Sequence, residues 1–332
     1  MQKKPKILVV GSFVMDIIAT TEVIPGRGQA VYGKEFHMAP GGKGANQAVQ
    51  CARLGADVTL CGCVGDDIFA EELLRIPQEA NIHMEHVVRR SGVSSGIGHI
   101  TLEVTGNTAQ NRIVILPGAN RTLTVEEVSW IKDEISTYDI VLLQLELPIE
   151  VNRAIARWAK EAGVPVMLNP APATELDDEL LTYVSYLTPN EQEASTEMHL
   201  PLRTEKDGPY EQDIQAIADA LKKKGVQHVI ITLGSSGSVV VREDSLCFIS
   251  PVHMPHVVDP TAAGDSFCGA LCVGLTVGMT EEQALNFASH TAAITVSRMG
   301  AMPSLPVLQE VLDLMKERNY QGVDFTLFDC LH

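Results

Sequence analysis

The run Asp259-Pro260-Thr261-Ala262-Ala263-Gly264-Asp265-Ser266-Phe267 sets small residues and a carboxylate ahead of an apolar segment of helical length. A helix opening there exposes backbone N–H groups that have no intrahelical partner. With the positive end of the helix dipole, they make a site for a phosphate or a developing oxyanion. A carboxylate in that turn does not neutralise a phosphate. Its chemistry is to accept a proton from a nucleophilic hydroxyl, general-base help worth roughly 10²–10⁴-fold in rate. From the residues alone, a helix-capping role for Asp265 stands equal to that reading.

A second run, Gly41-Gly42-Lys43-Gly44-Ala45-Asn46-Gln47, has few Cβ atoms, so its backbone can approach a ligand closely. Asn46 can both donate and accept towards hydroxyls. The run is not a Walker A loop, because its spacing differs and neither Ser nor Thr follows Lys43. A plain tight loop is the alternative. Gly11-Ser12-Phe13-Val14-Met15-Asp16 lacks the glycines of a dinucleotide-binding turn, which counts against a nicotinamide dehydrogenase.

Such groups need a scaffold, and strand-like and helix-like segments alternate along the chain as in a parallel sheet covered on both faces. Ile7 to Val10, Val58 to Cys63, Ile140 to Leu145, Val164 to Leu168, Tyr183 to Leu187 and His228 to Leu233 read as strands. Helices are expected at 44–54, 66–76 (ended or kinked by Pro77), 149–162, 213–224, 264–278 and 280–296. Thr124 with Glu127 and Thr280 with Gln283 have capping-box spacing, the first opening a helix towards Ser136. Thr20 to Met38 and Ser94 to Leu116 alternate polar and apolar residues and read as antiparallel strands of a flap. The expected organisation is one domain over residues 1–320, with a β lid at about 17–40 and 94–116. Residues 321–332 form a tail without a signal.

The first strand, read as ending at Asp16, the fourth at Glu146, and the polar runs 188–193 and 232–237 would all reach one edge of that sheet. Ligands of doubly wound sheets bind at this edge, beyond the C-terminal strand ends.

Composition narrows the partners. The 332 residues carry 42 acidic and 25 basic side chains, a net charge of -17 that repels nucleic acid and anionic membranes. Any phosphate site must therefore be built locally. The apolar start is broken by Gly11, Ser12 and Asp16 with no small-residue cleavage site, so the expectation is a cytoplasmic protein. No stretch approaches the ~20 apolar residues of a membrane span. The seven cysteines, an odd number mostly within apolar runs, read as buried reduced thiols. Neither Cys61-Gly62-Cys63 nor the pairs His83/His86 and His253/His256 has the partners of a metal site.

On these motifs the chain resembles the ribokinase-like carbohydrate kinases, from about Lys6 to Leu312. Gly41 to Gln47 and Asp259 to Phe267 are similar to the family's two signatures. Leu143-Gln144-Leu145-Glu146, Leu168 to Ala173 and Thr188-Pro189-Asn190-Glu191 recur in a narrower group of its members. The resemblance implies an α/β fold, a doubly wound, mostly parallel sheet with helices on both faces and a small β-sheet lid. It implies ATP-dependent phosphorylation of D-ribose at the 5-hydroxyl, giving D-ribose 5-phosphate and ADP, with Asp265 as the base. Val14, Asp16, Gly42, Lys43, Asn46 and Glu146 match sugar-binding positions. Asn190, Thr232, Leu233, Gly234, Ser235, Ser236, Gly237, Gly264 and Ser289 match the nucleotide side, Ser289 standing where many members carry Asn. Asn190 and Glu193 match the motif that organises Mg²⁺ through water. Asp259, Thr261, Thr295, Arg298, Gly300 and Ser304 match the loops around K⁺, several through backbone carbonyls. Flap pairing into a homodimer is carried over as well.

Three positions depart from the family pattern. Val14 replaces a common Asn and removes a hydrogen-bond partner from the pocket, which keeps 2-deoxyribose, another small sugar or a nucleoside open as substrate. Pro260 replaces a usual Thr and stiffens the cation loop. Ala263 replaces a common Gly. A non-catalytic sugar sensor on the same fold is the alternative from another class, against which the intact Asp265 and Glu193 argue.

Overall fold

Ile7 and Val9 belong to one buried cluster and Leu8 and Val10 to another. A strand buried alternately on two sides needs a layer on each. A computed structural model describes residues 3–105, 108–205, 208–209, 211–242 and 245–331. Positions 106–107 of the expected lid, 332 of the tail, and 1–2, 206–207, 210 and 243–244 of the expected domain lie outside the described residues.

The strands in chain order are β1 (Lys6–Val10), β2 (Val14–Thr21), β3 (Glu35–Gly41), β4 (Asp57–Gly65), β5 (Val87–Arg90), β6 (Gly96–Thr105) and β7 (Thr108–Leu116). There follow β8 (Ile140–Gln144), β9 (Val166–Asn169), β10 (Tyr186–Leu187), the two-residue pair β11 (Thr204–Glu205) and β12 (Gly208–Pro209), then β13 (His228–Thr232), β14 (Ser238–Val241) and β15 (Leu246–Ile249). Among the described residues nine strands form the main sheet in the order β15-β14-β13-β10-β9-β8-β1-β4-β5. All neighbours run parallel except β13 with β14 and β14 with β15.

The helices are α1 (Lys43–Arg53), α2 (Ile68–Glu79), α3 (Ile131–Glu134), α4 (Ile149–Ala162), α5 (Asp178–Leu181), α6 (Glu191–Met198), α7 (Glu211–Lys223), α8 (Ala263–Thr276), α9 (Glu281–Val296) and α10 (Leu308–Glu317). The buried residues of α1, α2, α8, α9 and α10 join the cluster of Ile7 and Val9. Those of α3 to α7 join the cluster of Leu8 and Val10. The layered α/β architecture is therefore as the sequence implies.

A second sheet of four strands, ordered β3-β2-β6-β7, stands off the first. Here the structure corrects the sequence reading. Asp16 does not end β1, which stops at Val10; after the turn 11–13 it lies on β2 in the small sheet. Nor is the small sheet wholly antiparallel, because β2 runs parallel to β6 from Val14 beside Gly96 to Thr21 beside Glu103. Alternation marks a half-exposed strand but not the direction of its neighbour.

Other differences are local. Pro77 does not end its helix: α2 runs on to Glu79. The box at Thr124 forms, with the Glu127 N–H donating to Thr124 Oγ1 at 3.3 Å and the Thr124 N–H to Glu127 Oε2 at 3.0 Å. Turns follow it, and only four residues of α3, because Val128, Ile131 and Ile135 bury themselves without a continuous helix. The tail is seated: Phe328 is buried with its ring 5.2 Å from that of Phe287. A Cβ on Gly55, whose φ is +101°, would come within 2.3 Å of the Leu331 carbonyl.

Candidate active site

Two helix N-termini meet beyond the C-terminal end of β1. The first belongs to α1. Gly42 has φ +99°, and a Cβ there would lie 2.6 Å from the Ser12 carbonyl. A Cβ on Gly44 would lie 2.4 Å from Gly11 Cα, so the glycines let the loop before α1 press onto the turn after β1. The N-cap residue, Gly42, has no side chain with which to cap α1. Glu146, just beyond β8, does this from a distance: its Oε2 accepts the Lys43 N–H at 3.1 Å and a hydrogen bond from the Ser12 hydroxyl. An anion at a helix N-terminus is favoured by the free amides and the dipole.

The second N-terminus belongs to α8. Its cap, Ala262, sits in the left-handed region at φ 60° and makes no side-chain bond to the turn that follows, where the Ala263 N–H donates to the Pro260 carbonyl at 3.2 Å. Asp265 lies in that first turn, buried at 7% exposure. It caps nothing. Its Oδ2 accepts from Asn46 Nδ2 at 2.8 Å and its Oδ1 from Gln47 Nε2 at 2.9 Å, both on α1. The residues around Gly269 allow this approach: a Cβ there would stand 2.9 Å from Gln50 Cβ. Ser266, the next residue, donates to Gln50 Oε1 at 3.1 Å and bonds the Thr295 hydroxyl at 2.7 Å.

Between the helices and the strand ends lies a cavity of about 200 Å³, lined by Lys43, Asn169, Thr188, Asn190, Glu193, Thr232, Gly264 and Asp265 among others. Asn190 and Glu193 form the N-terminal capping box of α6: the Glu193 N–H donates to Asn190 Oδ1, and the Asn190 N–H to Glu193 Oε2, each at 2.8 Å. Thr232 ends β13 and pairs with Asn190 in a parallel bridge. The turn 233–237 follows, closed by the Leu233 N–H on the Gly237 carbonyl at 2.8 Å.

The charges are concentrated. Asp16 is pushed up to about 6, first by burial and then by Glu146, with Asp265 and Asp259 adding and Lys43 opposing. Burial alone would lower the Lys43 ammonium, but Asp265, Glu146 and Glu193 outweigh it and hold its pKa above the usual value. Burial raises the Glu193 carboxyl, against the Asn190 N–H and Lys43. Desolvation and like charge thus work on one small volume, the pattern of a site that handles protons and anions.

Not every sequence-predicted residue reaches this cavity through its side chain. Val14, on β2, is buried at 8% exposure. Ser289 is buried on α9 and outside the cavity lining. Asp259 bridges two loops, its Oδ1 accepting the Thr261 N–H and its Oδ2 the Gly300 N–H, each at 2.9 Å. Thr295 Oγ1 is held by Ser266. The Arg298 guanidinium pairs with Glu310 at 2.6 Å, and Ser304 Oγ donates to the Ala301 carbonyl at 2.7 Å. These side chains are thus engaged within the protein, which would leave backbone carbonyls as the oxygens for a cation there. Among the described residues no three His, Cys, Asp or Glu side chains cluster to hold a metal. The hard oxygens of Glu193 and Asn190 beside the cavity fit Mg²⁺, which keeps several of its waters and leans on few carboxylates.

Sequence reading missed Ser12, Gln47, Gln144, Asn169 and Asn120 as members of the site. Asn120 takes the Phe13 N–H on its Oδ1 at 3.0 Å and returns Nδ2 to the Phe13 carbonyl at 2.7 Å, fixing the turn before Asp16. Polar residues at strand ends, Gln144 and Asn169, were the available signal.

Comparison with known proteins bears on the chain as a whole. The family model described as pfkB family carbohydrate kinase matches residues 4–308. The chain is 37% identical over 313 residues to a ribokinase of Schizosaccharomyces pombe, covering 92% of this chain and 96% of that one. It is 32% identical to a deoxyribokinase of Salmonella typhimurium, over 92% of this chain and 96% of the other. Among solved structures, Arabidopsis thaliana ribokinase complexed with ribose and ATP superposes with a TM-score of 0.83 at 32% identity, covering 95% of this chain and 99% of that one.

Proposed function

This chain belongs to the pfkB family of carbohydrate kinases, and from that membership we propose how it works as an enzyme that phosphorylates D-ribose with ATP. The product is D-ribose 5-phosphate, with ADP as the second product. Relatives named ribokinase, and a similar structure that holds ribose and ATP together, support ribose as the sugar and ATP as the phosphoryl donor.

One observation carries the mechanism: the Asp265 carboxylate, held by two amides of α1, borders the cavity in the uncapped first turn of α8. Asp265 accepts the proton of the sugar's 5-hydroxyl. The oxygen so freed forms its bond to the γ-phosphorus, and the bond from that phosphorus to the bridging oxygen breaks, its electrons leaving on ADP. The amides of the first α8 turn and the Lys43 ammonium receive the charge on the moving group. Catalysis of this kind is mostly positioning and charge stabilisation. Asp16 and Glu146 hold the sugar hydroxyls, and residues 232–237 run along the nucleotide, with Gly264 and Ser289 completing that side. Asn190 and Glu193 would hold Mg²⁺ through water, where it would supply neutralising charge for the phosphates. The loops of Asp259, Thr261, Thr295, Arg298, Gly300 and Ser304 would hold K⁺, whose charge would stiffen the turn ahead of α8.

The small sheet acts as the lid over the sugar. In it Phe36, Met38, Ile113, Val114, Ile115 and Leu116 are all exposed. Consecutive residues of β7 point to opposite sides, so both sides of its edge are apolar, which supports a homodimer made by pairing lids. Consumption of ATP and free cysteines throughout support a cytoplasmic setting.

A second reading has an observation behind it. Val14, at 8% exposure beside Asp16, offers no hydrogen bond to a sugar hydroxyl, and one relative is a deoxyribokinase. The test is kcat/KM with Mg-ATP for ribose, 2-deoxyribose and adenosine. Ribose is expected first; a clear preference for either of the others replaces it. Rates in K⁺ should exceed those in a large organic cation, and equal rates remove the K⁺ assignment.

A further inference from the structure

We propose that Gln47 is a positioning residue for Asp265, the last link of a buried amide relay that fixes the direction of the base. The proposal rests on the reading of Asp265 as that base.

Gln47 is fully buried and lies outside the cavity lining. Every polar atom it has is engaged. The two hydrogens of Nε2 go to Asp265 Oδ1 at 2.9 Å and Asn169 Oδ1 at 3.1 Å. Its Oε1 accepts from Gln144 Nε2 at 2.6 Å. An ionised carboxylate can only accept, so the amide nitrogen of Gln47 must face Asp265 and its oxygen must face Gln144. The relay ends in main chain. Asn152 on α4 donates to the Gln144 carbonyl at 2.6 Å, and Asn169 Nδ2 donates to the Thr188 carbonyl at 2.9 Å. Asp265 on one helix is thereby referenced to β8, β9 and α4.

Asn46 differs from its neighbour. It holds the other oxygen of Asp265, but its own Oδ1 is buried without a partner, as are Gln144 Oε1 and Asn152 Oδ1 further along the relay. Gln47 has nothing left over. It serves the base alone, and its loss should be felt in the chemical step rather than in sugar binding. A misplacement of about 1 Å at a reacting group costs roughly 100-fold.

The experiment compares Gln47→Met, which keeps volume and burial, with wild type by steady-state kinetics on ribose and Mg-ATP. The expected result is a fall in kcat of about 100-fold with KM for ribose within about threefold. An unchanged kcat, or kcat and KM worsening together with a large fall in Tm, overturns the proposal. Should Gln47→Met not fold, Gln144→Leu removes the donor one link further back and leaves the main-chain carbonyl for Asn152. It should lower kcat about tenfold at constant KM by the same misplacement logic, and no fall in kcat is again fatal. Adding Asp265→Asn to Gln47→Met should cost nothing beyond Asp265→Asn alone, because the two act as a unit; additive losses refute the relay. If Asp265→Asn by itself keeps activity, the base assignment has failed instead.

Discussion

The first turns of α1 and α8 begin from the same chemistry, unpaired amides at the positive end of a dipole, and are finished differently. At α1 the protein fills the position itself, with the Glu146 carboxylate on the Lys43 amide. At α8 the cap is a left-handed alanine, and the turn opens on the cavity. On the function proposed above, the filled N-terminus presents residues to the sugar, and the open one receives the group that moves.

The comparison breaks most easily at Asp265. Asp265→Asn should lower kcat by roughly 10²–10⁴-fold while ribose binding, measured by calorimetry, stays within a few fold. Near-normal turnover would mean that the α8 turn is not where the proton is taken. Glu146→Gln tests the other helix. The Lys43 amide then loses a charged acceptor worth about 1.5–3 kcal/mol, and KM for ribose should rise about 10- to 100-fold with a smaller change in kcat. If kcat falls more than KM rises, the division of labour between the helices is wrong.

Asp16, whose carboxyl is raised first by burial and then by Glu146, adds a dependence on pH. Its native pKa of about 6 lies above the ordinary 3.8. The carboxylate is therefore ionised at pH 7 and able to accept sugar hydroxyls. KM for ribose should climb as pH falls below about 6, and Asp16→Asn should flatten that dependence. The stability consequence has the opposite sign. A raised carboxyl favours the fold fully below about pH 4, and this support disappears as pH rises through 6. Asp16→Asn should therefore raise unfolding free energy, measured by urea denaturation, at pH 8 more than at pH 4, by a difference on the order of 3 kcal/mol at most. An equal shift at both pH values would show that burial of Asp16 has been misjudged.

The parts of this site that are legible in sequence are those whose chemistry is local. Asp259 to Phe267 and Gly41 to Gln47 announce backbone-lined turns because small residues must occupy positions where backbones touch. The placement of Asp16 is harder, because Gly11 and Ser12 interrupt the apolar run only briefly, and Val9, Val10, Phe13, Val14 and Met15 on either side are all buried, so composition does not mark the passage from one sheet to the next. The engagement of Gln47 is not local at all: its partners Gln144, Asn169 and Asp265 stand 97, 122 and 218 residues away. No periodicity encodes such a meeting, and only the packing of α1 against α8 and the strand ends creates it. The parallel pairing of β2 with β6 is hidden for the same reason.

Ala262 keeps a backbone shape that L-residues avoid, φ 60°, at a cost of about 1–2 kcal/mol. The surrounding structure meets that cost during folding, once per molecule. If this turn receives the migrating phosphoryl group as proposed, a shape already set by folding would spare it a reorganisation in each turnover.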